Sequence, residues 1–382
     1  MNLVKGSLQD ELDHFFSTLN NEECDFRHVT KSAFCQARKK ISHTAFIALN
    51  DKLIEEFYQS STSPKWHGKR LVAIDGSTLR LPDRKVFSDH FGGQEKGVPL
   101  ARVSFCVDLA NDITRDTVVK PYCADEREMA SAHLEKTLED DLLIYDRGYH
   151  GFYTFALHRH RGRHFCMRMP VGVYNVISDF LDSGKVDDII TIAPSNSVKK
   201  QCEADGMDST PVHLRALHIE LSTGETEVLV TSLTQECYQA DEFQALYHQR
   251  WGIEESIKHK KQPLEIENFS GLSIQSVKQD IHAKVLMKNI VAMAREIAQE
   301  SVDQTGKKRK YRYKINATQA LSKAKNVVIK AVFLSAKKAC SLFEKFIDII
   351  RQCIEPIRDG RSYSRNLKLY KRVYHPNIKR TR

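Results

Sequence analysis

Leu71-Val72-Ala73-Ile74-Asp75 and Leu142-Leu143-Ile144-Tyr145-Asp146 are the stretches whose reading decides the fold. Each run is short, apolar and rich enough in β-branched or aromatic residues to read as a strand buried on both faces, the position of a strand in a parallel sheet. Each closes on an aspartate. In open sheets ligands gather at the carboxyl ends of the strands. If these two strands are neighbours, a spacing of about 4.8 Å brings two carboxylates where they could share hard cations, whose preferred ligands are oxygens. A single strand-end Asp is more simply a turn residue or helix cap.

A third acidic segment changes that balance. Tyr247-His248-Gln249-Arg250-Trp251-Gly252-Ile253-Glu254 reads as helix, continuing to Lys261. At about 100° per residue, with Tyr247 as zero, Arg250 falls near about −60°, Glu254 near about −20° and Lys261 near about −40°. Leu246, Ile253 and Ile257 form the adjoining apolar stripe that would dock on the sheet. Glu254 is therefore expected to point at the two aspartates, with Glu255 about 100° further round and the poorer ligand. Two strand-end Asp and a helical Glu suit a two-metal site for phosphoryl transfer on nucleic acid, with Mg²⁺ the natural ion.

The spacing of Tyr247, Arg250, Glu254 and Lys261 resembles the Tyr-Arg-Glu-Lys signature of bacterial DDE transposases of the insertion-sequence-four group. "AIDGSTLRLPD" around Asp75, "LLIYDRGYHGF" around Asp146 and "RWGIEESIKHKKQPLEIENFSG" around Glu254 look like that group's three catalytic blocks. The resemblance runs from about residue 31 to about residue 300. It implies an RNase H-like mixed sheet as catalytic core, interrupted by an inserted β domain. It also implies Asp75, Asp146 and Glu254 as catalytic and metal-binding residues for two Mg²⁺ ions, with Mn²⁺ able to substitute. Tyr247, Arg250, Trp251 and Lys261 would contact DNA, namely element ends and target, in a homodimeric complex. Family members that form a DNA hairpin stack a flipped base on a tryptophan of the inserted domain. Here the only tryptophans are Trp66 and Trp251, and the insertion offers Phe165, Tyr174, Phe180 and Tyr238 instead. A nuclease or resolvase on the same fold and a non-catalytic DNA-binding derivative are the rival readings.

Composition agrees with a DNA partner. Residues 301–382 hold 22 Lys and Arg against 5 acids, leaving 36 against 44 in residues 1–300, so the basic charge sits at the C-terminal end. Its densest run, Lys307 to Lys314, and the tail from Arg361 interleave basic residues with tyrosines, which suits a phosphate backbone and unstacked bases. Nine cysteines, odd in number and without a CxxC pair, speak against a disulfide framework or a structural zinc site. No membrane-spanning apolar stretch or signal pattern is found, so the expectation is a soluble cytoplasmic protein.

Along the chain, residues 1–63 read as helical and DNA-binding, with a Ser7–Asp10 capping box and a candidate helix-turn-helix around Lys31 to Lys40. Residues 69–155 read as the first part of the core, in the order strand, hairpin, helix, strand. Residues 156–238 read as the inserted β-rich domain. The second part of the core, with the catalytic helix, is expected over 239–300, and a basic helical region over 301–382. His158, His160 and His164 read as a solvated basic surface.

Overall fold

A computed structural model describes residues 7–60, 64–94, 97–220, 226–262, 264–305 and 310–358. Ser7 opens α1 (Leu8–Asn20) by the expected reciprocal bonding, its hydroxyl accepting from the Asp10 amide and the Asp10 carboxylate from the Ser7 amide. Helices α2 (Lys31–Arg38) and α3 (Thr44–Ser60) follow. The next elements are β1 (Arg70–Arg80), α4 (Lys85–Phe91), β2 (Leu100–Asp108), β3 (Ile113–Pro121), α5 (Glu126–His133), β4 (Asp141–Tyr145), α6 (Phe152–Arg161) and β5 (His164–Met169). Then come α7 (Asn175–Asp182), β6 (Asp187–Ile192), α8 (Asn196–Ala204), β7 (Val212–Glu220), β8 (Thr226–Thr231), α9 (Glu242–His248) and α10 (Trp251–Lys261). The last are α11 (Ile274–Thr305), β9 (Tyr313–Ile315), α12 (Ala317–Ala331), α13 (Ala336–Ile350) and β10 (Ile354–Pro356).

Strands β1 to β8 form one sheet in the order β3-β2-β1-β4-β5-β8-β7-β6. β1 and β4 are parallel, as are β4 and β5, whereas β8, β7 and β6 run antiparallel to their neighbours. Residues 109–112 link β2 to β3, a connection that only an antiparallel pair can make. The order 3-2-1-4-5 with this mixture of directions is the RNase H-like mixed sheet. The segment 156–238, expected as an inserted β-rich domain, supplies the fifth strand of the core and extends the same sheet with β6, β7 and β8. β8 satisfies the edge that β5 would otherwise leave open, and Met167, Met169, Val228 and Val230 prolong a single apolar layer.

Burial on both faces explains why the β1 and β4 runs lack polar residues. Val72, Ile74, Leu143 and Tyr145 face a layer containing Ala130 of α5, Phe155 of α6 and Ile177 of α7. Leu71, Leu142 and Ile144 face the opposite layer, where Phe243 and Leu246 of α9 pack. Each such aliphatic residue removed from water contributes about 1.5–3 kcal/mol. His158 faces inward rather than lying on the surface. It is 1% exposed, accepts from the Tyr145 hydroxyl (3.0 Å) and donates from Nδ1 to the Arg163 carbonyl (3.1 Å), and burial pushes its pKa down to about 4.

At the amino end of these strands, the fully buried Asp141 accepts from Arg70 Nε (2.7 Å), Arg115 Nη1 (2.6 Å) and the Leu138 amide (2.7 Å). Removing one member of such a group leaves buried charge uncompensated. Asp141→Ala is expected to lower stability by about 3–5 kcal/mol, read from urea unfolding. A loss below about 1 kcal/mol, typical of an exposed pair, would show that solvent already compensates these arginines.

The chain divides into two compact units. One comprises Met1–Ser61, Leu79–Ala101 and Lys258–Arg382, and the other comprises Thr62–Thr78 and Arg102–Ile257. In the first, α11 packs against α3 and, around Met287, Val291, Leu321 and Phe346, against α12 and α13. Arg38, in the candidate helix-turn-helix, is drawn inward by Asp280 (2.9 Å), Gln279 (2.8 Å) and Ser270 (2.7 Å), leaving Lys39 and Lys40 exposed. Of the basic run, residues 310–314 are described, and Lys314 lies 3.5 Å from Glu355. Residues 307–309 and the tail from Arg361 lie outside the described residues. No described helix is long and apolar enough to cross a membrane.

Candidate active site

Complete burial along β1 ends at Ile74, and Asp75 is the first partly exposed residue of the strand. The β1–β4 register pairs Leu71 with Leu142 and Ala73 with Ile144, and carried onward it sets Asp75 opposite Asp146. The Gly76 amide donates to Asp75 Oδ1 (2.8 Å). Asp146 caps a short 3₁₀ turn, Arg147–Tyr149, its Oδ1 accepting from the Gly148 amide at 2.8 Å. A Cβ on Gly148 would stand 3.1 Å from that same oxygen, which is why glycine suits this position. Burial, and then the Asp146 charge, push the Asp75 carboxyl up to about 6, against the pull of the Gly76 amide and Arg250.

The third acidic residue arrives differently from the sequence expectation. No single helix runs from Tyr247 to Lys261, because α9 stops at His248 and α10 starts at Trp251. Between them the amides of Gln249, Arg250, Gly252 and Ile253 each donate to the carbonyl three residues back, at 2.9–3.1 Å. Such a turn advances about 120° per residue instead of about 100°, so the expected common face is skewed. Tyr247 turns into the core at 7% exposure, and burial raises the pKa of its hydroxyl. Arg250 lies over the Tyr247 ring at 5.8 Å and donates from Nη2 to Glu254 Oε1 at 3.0 Å. The Tyr247 hydroxyl and Arg250 Nε are buried without a hydrogen-bond partner.

Trp251 is 50% exposed, Glu254 partly exposed and Glu255 exposed. Asp75 feels the charges of Asp146, Arg250 and Glu254, so these residues share one electrostatic neighbourhood. Lys261 belongs to the other compact unit, where burial depresses its pKa against the pull of Glu267. Among the described residues no three His, Cys, Asp or Glu side chains converge closely enough to hold a metal ion. The Asp75–Asp146 pair fits a hard cation in charge and donor type, and the Asp75 carboxyl, raised first by burial and then by the Asp146 charge, is one whose ionised form such a cation would favour. Glu254 meanwhile is held by Arg250.

Two side chains near the aspartates were not singled out from sequence. Tyr149, 2% exposed, follows Asp146 within the quoted block, and its hydroxyl is unpartnered. Glu126 reads from sequence only as part of an acidic first helical turn, which the helix dipole favours, yet its carboxyl group lies against Gly76.

Residues 66–290 match the transposase DDE domain family, a stretch longer than half the chain. This chain belongs to that family. The expectation drawn from the Tyr-Arg-Glu-Lys spacing is thereby borne out at family level. The chain is 24% identical over 274 residues to the Escherichia coli K12 transposase InsG for insertion sequence element IS4, covering 69% of this chain and 60% of that protein. It is 24% identical over 136 residues to the putative transposase InsZ of the same strain, covering 33% of this chain and 44% of that one. It therefore spans less than two thirds of either relative. Among solved structures it aligns with a piggyBac transposase synaptic complex with hairpin DNA at a TM-score of 0.42 and 10% identity, over 88% of this chain and 67% of that one. The fold assignment rests on the strand order, not on this alignment.

Proposed function

We propose that this DDE-domain protein is a transposase that cleaves DNA at insertion-sequence ends and joins those ends to target DNA, with Asp75, Asp146 and Glu254 as its catalytic carboxylates. The main support is the Asp75–Asp146 pair, in register at the carboxyl ends of neighbouring parallel strands. These three residues would hold two Mg²⁺ ions, or Mn²⁺ in their place. Bound there, such ions promote attack by an oxygen nucleophile and stabilise the leaving oxygen. The protein's own contribution is positioning and charge.

Arg250 exchanges its partner Glu254 for a DNA phosphate, which it can grip with a bidentate fork. That exchange frees the Glu254 carboxylate as the substrate arrives. Lys261 contributes a point charge and the exposed Trp251 ring a stacking surface, whereas Tyr247, expected to touch DNA, is turned into the core and supports Arg250 with its ring instead. Cutting and joining use one site because each forms a phosphorus–oxygen bond to a water or 3′-hydroxyl oxygen while the bond to the departing oxygen breaks. Residues 1–63 and the basic region 301–382 serve DNA binding, the DNA complex is a homodimer, and the compartment is the bacterial cytoplasm.

The test is incubation of the purified chain with end-labelled duplex carrying an element end, in Mg²⁺ or EDTA, resolved on denaturing gels. Mg²⁺-dependent cleavage at the element boundary is expected. A fold-back strand of double length would identify a hairpin route, with Trp251 or an aromatic of residues 156–238 as the base platform. Failure to cut any end in either Mg²⁺ or Mn²⁺ would overturn the reading.

A further inference from the structure

Glu126 stands in the first turn of α5, on the far side of Gly76 from Asp75 in sequence. A Cβ built on Gly76 would lie 3.0 Å from Glu126 Cδ and 3.1 Å from Oε1, so the carboxyl group is laid directly on the β1 backbone beside Asp75. Arg102 of β2 is its counter-charge. Its guanidinium forms an ion pair with Glu126, donates from Nε to the Tyr122 carbonyl at 3.1 Å and lies over the Tyr122 ring at 5.3 Å. The Glu126 side chain nevertheless keeps 41% of its surface open.

A second observation singles out the same place. The Tyr149 hydroxyl is buried and has no hydrogen-bond partner, which costs about 1–3 kcal/mol unless something pairs with it. Burial, and then the charges of Asp75, Glu126 and Asp146 in that order, oppose its ionisation. The buried, unpaired hydroxyl thus lies within electrostatic reach of three carboxylates, which do not converge closely enough to ligate one ion directly. Mg²⁺ sheds its waters reluctantly and is commonly held by one or two carboxylates, the rest of its shell being water. A carboxylate one water further out is where such a shell needs an acceptor, and a neutral tyrosine can bond the same water.

We infer that Glu126 and Tyr149 are positioning residues of this site, which take up, through water, the hydration shell of a divalent cation held at Asp75 and Asp146. This rests on the proposed function above, and it adds a fourth carboxylate and a hydroxyl to the site. Arg102 then acts as a counter-charge for Glu126 in the metal-free chain, as Arg250 does for Glu254.

Mn²⁺ binding to the full chain without DNA, followed by electron paramagnetic resonance of the free ion, tests it. Outer-shell partners of metal sites are worth about 10–100-fold in affinity. Glu126→Gln and Tyr149→Phe, both close in shape to the residues they replace, are each expected to weaken Mn²⁺ binding by about tenfold, at the low end of that range. Arg102→Gln is expected to leave it unchanged or tighter, because it frees the carboxylate. Asp75→Asn serves as reference and should remove most of the binding. If Asp75→Asn weakens binding and Glu126→Gln does not, the inference is overturned while the cation site stands. If Arg102→Gln weakens binding as much as Glu126→Gln, the pair is only a structural tie and the inference again fails. If Asp75→Asn itself binds Mn²⁺ like the wild type, the cation site is misplaced and the inference falls with it.

Discussion

Alanine at Asp75, Asp146 or Glu254 is expected to slow cleavage of element ends by about a thousandfold or more while end binding survives. Metal-assisted charge stabilisation is worth several kcal/mol at the transition state, and each ~1.4 kcal/mol is tenfold in rate. End binding depends instead on contacts to phosphates and base edges made elsewhere. Single-turnover cleavage and a mobility-shift titration on the same duplex separate the two quantities. Glu255→Ala, at an exposed position beside Glu254, is the internal control and should cost little. Glu254→Ala cleaving in Mg²⁺ at the wild-type rate would reduce Glu254 to a partner of Arg250 and remove it from the catalytic set.

Asp75→Asn should make the metal-free chain more stable, although it destroys activity. The Asp75 carboxyl titrates at about 6 in the folded chain against an ordinary value of 3.8. A carboxyl raised in this way burdens the folded state wherever it is ionised. The penalty is complete above about pH 6 and fades as pH falls towards 3.8, the reverse of an ion-paired carboxylate. Its size is roughly 3 kcal/mol. Urea unfolding in EDTA should place the variant above the wild type by up to that amount at pH 7.5 and by roughly half of it near pH 5. Mg²⁺ should narrow the gap by stabilising the wild type, since a ligand that binds only the folded state raises its stability. A variant no more stable at pH 7.5, or one whose advantage grew on acidification, would show that Asp75 carries no such burden.

The sheet was legible in the sequence because its central strands are buried on both faces. Leu71 to Ile74 and Leu142 to Tyr145 have no polar position to disguise them, and the 109–112 turn announces the β2–β3 hairpin. Residues 156–238 were legible as strands but not as part of the same sheet. The apolar content of Val212–Glu220, buried on both faces, marks a strand without saying which strand edge it pairs with. Helices α6, α7 and α8 were not legible because each is at most 10 residues long, too short for a helical period to stand out.

The site shows the same division. Asp75, Asp146 and Glu254 could be read because each closes or punctuates an apolar pattern. The kink between α9 and α10 could not, since 3₁₀ and α-helical turns share one residue vocabulary, and with it went the inward turn of Tyr247. Glu126 was hidden by an adequate local reason for its presence, the acid preference of a helix N-terminus. Only the approach of its carboxyl group to Gly76 reveals a second role.

The most direct measurement is strand transfer. Pre-cleaved element ends with free 3′-hydroxyls are incubated with the purified chain, supercoiled target plasmid and Mg²⁺, and covalently joined products are scored on denaturing gels alongside Glu254→Gln. The transposase reading requires end-labelled DNA joined to the plasmid by the wild type and none by the variant. Efficient Mg²⁺-dependent cutting of uncleaved ends, with no joined product from pre-cleaved ones, would contradict it and leave a nuclease on this fold.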